Sequence, residues 1–235
     1  MINGQNILAI IPARGGSKRL PKKNVRNLCG KPLISWTIDT ARQSKYIDRL
    51  VVSTDDEETA RLSQKFGAEV PFIRPRELST DSAKSIDVVN HVLQYMSDSG
   101  AKFDYVMLLQ PTSPLRTSQH IDEAIELLEL KSADGIVSVC ECEHPSKWSG
   151  VLHNDFSLDS FLQANNDEQR QQGSEKLHRL NGSIYLMKTV DGQSCDNCFP
   201  AKNGFAYVME IACSVDIDTA EDFKQAEIIL QSRNV

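Results

Sequence analysis

Residues 10–24, Ile-Ile-Pro-Ala-Arg-Gly-Gly-Ser-Lys-Arg-Leu-Pro-Lys-Lys-Asn, place a glycine pair and five cations directly behind an apolar run. Residues 7–11 read as a central parallel strand, since a continuous apolar run suits burial on both faces. The loop behind such a strand falls at the carboxyl edge of the sheet, where ligands bind. Gly15 and Gly16 let backbone N–H groups converge on an anion, and Arg14, Lys18 and Lys23 neutralise it. A triphosphate is the natural guest; a basic, solvated turn is the plainer account of the same residues. Two familiar phosphate loops do not fit. Neither Gly-x4-Gly-Lys-Ser/Thr nor Gly-x-Gly-x-x-Gly occurs here.

A second segment, residues 214–219, reads Ser-Val-Asp-Ile-Asp-Thr. On an extended strand Asp216 and Asp218 face one side while Ile217 packs behind. Two carboxylates on one side, completed by waters and substrate phosphates, is how Mg²⁺ is usually held. Thr219 fits the N-cap of a final helix, with Asp222 at its third position. Spacing alone leaves open that both aspartates only decorate a strand end or cap that helix.

Three further stretches carry weaker signals. Residues 74–85 are basic and rich in hydroxyls, suited to reading a base or phosphate, although a helix-initiating loop looks similar. Residues 108–116 follow an apolar run, and Pro111 and Pro114 stiffen the turn. Arg170 and Arg179, followed by Asn181, add cations that could grip a substrate carboxylate. A structural role remains open for each.

The elements that must hold these residues alternate between strand and helix. Apolar runs at 7–11, 50–53, 105–109 and 135–140 read as buried strands; residues 32–43, 57–66, 85–96 and 117–130 read as amphipathic helices. Thr117 or Ser118 caps the last of these. Further strands are expected at 183–187 and 207–210, and a final helix at 219–230. Strand–helix–strand order implies right-handed crossovers and an α/β, doubly wound, mostly parallel sheet. The rhythm breaks across 141–180, which has few apolar clusters and reads as an insertion within a single domain covering 1–235.

Bulk properties narrow the class. With 40% hydrophobic and 25% charged residues, the 235-residue chain has an ordinary globular composition. A net charge of −6 argues against a nucleic-acid surface. No apolar run reaches the roughly 20 residues of a membrane span, and the first residues lack the basic n-region of a signal peptide. The expected location is cytoplasmic, with the six cysteines reduced. Cys195 and Cys198, with Cys140, Cys142 and His144, make a poorly spaced zinc set, so ordinary buried thiols are the better account.

Taken together, the segments Pro-Ala-Arg-Gly-Gly-Ser-Lys at 12–18, Pro-x-Lys-Asn at 21–24, Leu-Gln-Pro-Thr-Ser-Pro-Leu-Arg at 109–116 and Ser-x-Asp-Ile-Asp at 214–218 resemble the acylneuraminate cytidylyltransferases, or CMP-sialic acid synthetases. The likeness runs from Ile10 to about Leu230. It implies a nucleotide-diphospho-sugar-transferase-like fold with an inserted dimerisation arm, and hence a homodimer. It also implies transfer of CMP from CTP to a nine-carbon acidic sugar, with Mg²⁺ (or Mn²⁺) as cofactor and neither nucleic acid nor membrane as partner. By the resemblance Arg14, Gly15, Gly16, Ser17, Lys18, Lys23 and Asn24 bind the nucleotide, and Arg74 and Ser82 lie along the cytidine. Gln110 reaches the acceptor near its reacting end. Lys147, Arg170, Arg179, Asn181, Tyr185 and Phe199 surround the sugar, the first two reaching across the dimer. Asp216 and Asp218 hold the metal. Arg14, Lys23, Gln110 and the two aspartates carry the catalysis. Two positions depart from the pattern: Arg19 stands where sialic acid enzymes usually have glycine, a substitution more familiar in the related pseudaminic acid enzymes, and Pro200 where some carry a second phenylalanine. Legionaminic and pseudaminic acids are therefore alternative acceptors.

Overall fold

The computed structural model describes residues 1–143, 154, 176–200 and 202–233. Six strands form the main sheet: β1 (Ile7–Pro12), β4 (Arg49–Ser53), β5 (Tyr105–Leu109), β6 (Gly135–Glu141), β7 (His178–Lys188) and β8 (Gly204–Val208), in the order β4-β1-β5-β7-β6-β8. β1 pairs in parallel with β4 and β5, and β6 with β8; β7 runs antiparallel to both β5 and β6. Five strands therefore point one way and β7 alone points back. This is the mostly parallel α/β sheet expected from the alternation of elements.

The apolar run of β1 is explained by helices on both faces. Ile7, Ala9 and Ile11 pack with α1 (Leu33–Gln43) and α4 (Ser118–Leu130), whereas Leu8 and Ile10 pack with α3 (Ser85–Asp98). Alternate side chains point to opposite faces, so a strand covered twice has no polar position to spare. Helix α2 (Glu57–Lys65) starts on the Asp56 side chain, which accepts the Thr59 amide. Thr117 caps α4 in a reciprocal box with His120. The last helix, α5 (Ala220–Arg233), seats Phe223, Ala226 and Leu230 against Leu28, Leu33 and Leu115.

Three expectations need correction. The strand expected at 207–210 is β8, Gly204–Val208. It is an edge strand whose Phe205 and Val208 are exposed, so side-chain polarity could not mark its bounds. The short hairpin of β2 (Asn27–Leu28) and β3 (Lys31–Pro32) was not foreseen. Its turn residues Cys29 and Gly30 both have positive φ, +48° and +92°, as two-residue hairpins require, but two-residue strands leave no alternation to read. Finally, the aspartate segment has no strand partner. It is extended chain between a 3-10 turn at Ile211–Cys213 and α5, and Ile217 is buried while Asp216 and Asp218 are exposed. The expected one-sided alternation survives without the ladder.

The insertion expected over 141–180 overlaps strands at both ends, since β6 reaches Glu141 and β7 begins at His178. Most of its interior, including Lys147 and Arg170, lies outside the described residues. Among the described residues, no helix is long and apolar enough to cross a membrane.

Candidate active site

A cleft of about 540 Å³ opens at the carboxyl ends of β1 and β5. Arg14, Ser17, Lys18, Lys23 and Asn24 line one side, Arg74 and the stretch before α3 the other, and Gln110 and Asp218 its far end. Residues from the segments at 10–24, 74–85, 108–116 and 214–219 thus meet in one place.

The loop after β1 is pinned at its root. The Ala13 amide donates to the Ser53 carbonyl (2.9 Å), and the Asn24 amide group donates to the Arg14 carbonyl (2.9 Å). Gly15 donates its N–H to Asp55 (2.9 Å), so that amide is spent inside the protein. What the position demands is closeness, because a Cβ there would stand 2.8 Å from the Asp56 Cβ. Gly16 faces open space. The cations are paired across the cleft. Asp81, from the loop before α3, bridges Arg14 (2.7 Å) and Lys18, and these hold its carboxyl below the usual range, Lys18 foremost.

Arg74 is buried on the opposite wall, with Nε donating to Ser79 (3.1 Å) and Asp55 3.8 Å away. Burial lowers its pKa, which Asp55 partly offsets. The hydroxyl of Ser82 lies 3.2 Å from that of Thr80 on the exposed outer part of this loop. Thr80, Asp81, Ala83 and Ser85 line the cleft; Ser82 is not among its walls.

At the far end, the turn after β5 meets the aspartate segment. The Ile217 amide donates to the Thr112 carbonyl (2.9 Å), and the Thr112 hydroxyl lies 3.4 Å from Gln110 Oε1. Lys23 Nζ donates to the Ile217 carbonyl (2.6 Å) and to Asp218 (3.0 Å), and Arg19 reaches Asp218 at 3.3 Å. Asp222 accepts from the Asp218 and Thr219 amides (3.0 and 2.8 Å), which fixes the segment to the start of α5. Burial first raises the Asp216 carboxyl, Asp218's charge adds to the rise, and a hydrogen bond from Thr112 opposes both.

The donor set fits a divalent cation. Besides burial, the charge of Asp218 raises the Asp216 carboxyl, and a divalent cation held by the pair would relieve that repulsion. Asp216 and Asp218 would hold it.

The residues expected around the sugar are divided. Tyr185 is half-buried near Asp216, its hydroxyl pushed up by burial and then by that charge. Phe199 is exposed and meets Tyr185 edge-on at 5.6 Å. Arg179 is exposed at the start of β7. Asn181 is only 1% exposed, and its amide is spent on Ser138, Ser214 and Met209. Pro200 packs where side chains on Gly135 and Gly204 would stand, so its ring is turned to the sheet. The CxxC thiols are core residues, Cys195 pushed up to about 12 by burial.

Four contributors were not singled out from the sequence. Thr112 and Arg116 lay within a recognised segment without a distinct signal. Asp81 was visible only as an acid amid hydroxyls. Gly182 was detectable as a glycine inside a strand pattern, which often marks a bulge or close approach.

The cytidylyltransferase family model matches residues 8–235. The N-acylneuraminate cytidylyltransferase of Escherichia coli O18:K1:H7 is 36% identical over 229 residues, 97% of this chain. The chain spans 53% of that protein's length. The CMP-N,N'-diacetyllegionaminic acid synthase of Legionella pneumophila is 35% identical over 227 residues, 96% of both chains. Among solved structures, a CMP:2-keto-3-deoxy-manno-octonic acid synthetase complexed with CTP superposes with a TM-score of 0.71 at 17% identity, covering 98% of this chain and 100% of that one. At that identity the likeness speaks for the fold.

Proposed function

The chain belongs to the cytidylyltransferase family, and on that premise we propose that it transfers CMP from CTP to a nine-carbon ulosonic acid. N-acetylneuraminic acid is the first choice of acceptor. Legionaminic acid is the second, since the two relatives compared are equally similar to this chain, at 36% and 35%. The observation that carries the reading is one cleft in which the cationic loop after β1 meets Gln110 and Asp218, with Lys23 bonded to Asp218.

In the proposed reaction the anomeric oxygen forms a bond to the α-phosphorus of CTP, and the bond to the β-phosphate oxygen breaks, releasing pyrophosphate. Positioning and charge stabilisation dominate such transfers. Arg14, Lys18 and Lys23 supply cationic charge to the phosphates, and Arg74 lines the wall where the cytidine would lie. Mg²⁺, when held by Asp216 and Asp218, supplies further electrostatic stabilisation of phosphoryl oxygens. Gln110 positions the acceptor's reacting end. No general base is assigned.

Residues 141–180 belong to the same proposal as the arm of a cytoplasmic homodimer, with Lys147 and Arg170 reaching the partner's site. Light scattering that found a fully active monomer of 26.3 kDa would remove the arm and the shared site together. The nucleotide assignment is tested by pyrophosphate release from CTP, UTP, ATP and GTP with N-acetylneuraminic acid present. CTP should far outrun the others. Comparable rates with UTP would overturn the base assignment.

A further inference from the structure

Strand β7 breaks its register where it passes the site. Val137 of β6 pairs with Tyr185 and Val139 with Leu180, so the chain from Asn181 to Ile184 is bulged opposite Ser138 alone. Extra backbone in a buried strand leaves polar groups to satisfy. Ser138 and Asn181 satisfy them. The Ile184 amide donates to Ser138 Oγ (2.7 Å), Ser138 donates to Asn181 Oδ1 (2.6 Å), and the Ser183 amide approaches the same oxygen at 3.2 Å.

The other end of the Asn181 amide points away from β7. Its Nδ2 donates to Ser214 Oγ (2.9 Å) and contacts Met209 Sδ (3.3 Å), while Ser214 donates onward to the Glu210 carbonyl (2.8 Å). Ser214 is the residue from which the aspartate segment starts. Between these contacts Gly182, at φ +73°, presents the face on which a Cβ would stand 3.2 Å from Gln110 Oε1 and 3.6 Å from Asp216 Oδ2.

We infer that Asn181 is a positioning residue: it locks the Asn181–Ile184 bulge to Ser214 and so sets where Asp216 and Asp218 stand relative to Gln110. It has no free donor or acceptor, and at 1% exposure no surface, with which to meet a sugar. The inference rests on the proposed metal role of the aspartates only for its second consequence. Outer partners that orient a ligating carboxylate typically affect metal affinity by 10- to 100-fold.

The test compares Asn181→Ala and Ser214→Ala with the parent protein; the second is a mild change that keeps the inference falsifiable should the first fail to fold. Hydrogen–deuterium exchange over residues 214–219 of the metal-free protein should accelerate in both variants. Electron paramagnetic resonance titration should show Mn²⁺ binding weakened by about 10- to 100-fold. The KM for the acceptor should stay within about twofold, an expectation that follows from Asn181 having no surface to offer it. Unchanged exchange, or unchanged Mn²⁺ affinity, would overturn the inference, and a raised acceptor KM with both readouts unmoved would return Asn181 to the sugar. Parent protein whose Mn²⁺ affinity is indifferent to Asp218→Asn would count against the metal reading instead, and the exchange arm would still decide the positioning.

Discussion

Burial and then the neighbouring charge of Asp218 raise the Asp216 carboxyl above the ordinary range, against a hydrogen bond from Thr112. A carboxyl whose folded pKa exceeds its unfolded one contributes stability that is fully present below the unfolded value and is lost as pH rises through the folded one. At neutral pH the ionised group therefore opposes folding. Asp216→Asn should raise the Tm of the metal-free protein at pH 7, with the gap over the parent closing at acid pH where the parent carboxyl is protonated. A lower Tm at pH 7 would contradict this. Asp218→Asn, at an exposed position, should leave the fold intact while kcat falls at least about a hundredfold, roughly 2.7 kcal/mol of transition-state stabilisation. Gly182→Ala combines two costs: a side chain in left-handed backbone, about 1–2 kcal/mol, and a methyl group against Gln110 Oε1. Stability and kcat should both fall while the KM for CTP holds. A variant with full kcat would show that Gln110 yields without consequence.

Among the elements, the turn after β5 depends on Arg116. Its side chain is fully buried, donating to the Ser183 carbonyl (2.7 Å) and Thr37 Oγ1 (2.9 Å), with the Gln110 carbonyl at 3.4 Å. No carboxylate pairs with it among the described residues. Burial lowers its pKa to about 9, so it keeps its proton at neutral pH. Arg116→Met keeps much of the volume but strands these acceptors, each worth about 1–3 kcal/mol when unsatisfied. Urea denaturation should show a loss of about 3 kcal/mol or more; stability within about 1 kcal/mol of the parent would show that the strut is dispensable.

The same scale shows what a sequence discloses. β1 and β5 were legible because a strand buried on both faces cannot hide its apolar run, and Thr117 and Thr219 were legible because caps are local. The bulge in β7 was not: Asn181 and Gly182 fell before the strand expected at 183–187, and only the pairing with β6 shows them to be extra backbone within it. Asp81 was missed for a related reason. Its bridge to Arg14 and Lys18 spans 67 and 63 positions of chain, so nothing nearby distinguishes it from the hydroxyls beside it.

For the whole molecule, the account asks one sheet edge to bring a nucleotide and an acidic sugar together. All candidate sugars carry a carboxylate beside the anomeric carbon, so their discrimination falls to the far end of the acceptor. Pro200 packs on the sheet at Gly135 and Gly204, and Phe199, edge-on to Tyr185, is the aromatic surface proposed to meet that end. A methyl or acylamino group accommodated at such a surface is worth about 1–3 kcal/mol, a preference of tenfold to a few hundredfold. The decisive measurement is kcat/KM for pyrophosphate release from CTP, with Mg²⁺, over N-acetylneuraminic, legionaminic and pseudaminic acids, with the eight-carbon sugar Kdo as outlier. The account predicts acceptor-dependent release, N-acetylneuraminic acid first, legionaminic acid within a few hundredfold and Kdo far behind. Kdo as the best substrate, or release indifferent to any acceptor, would contradict it.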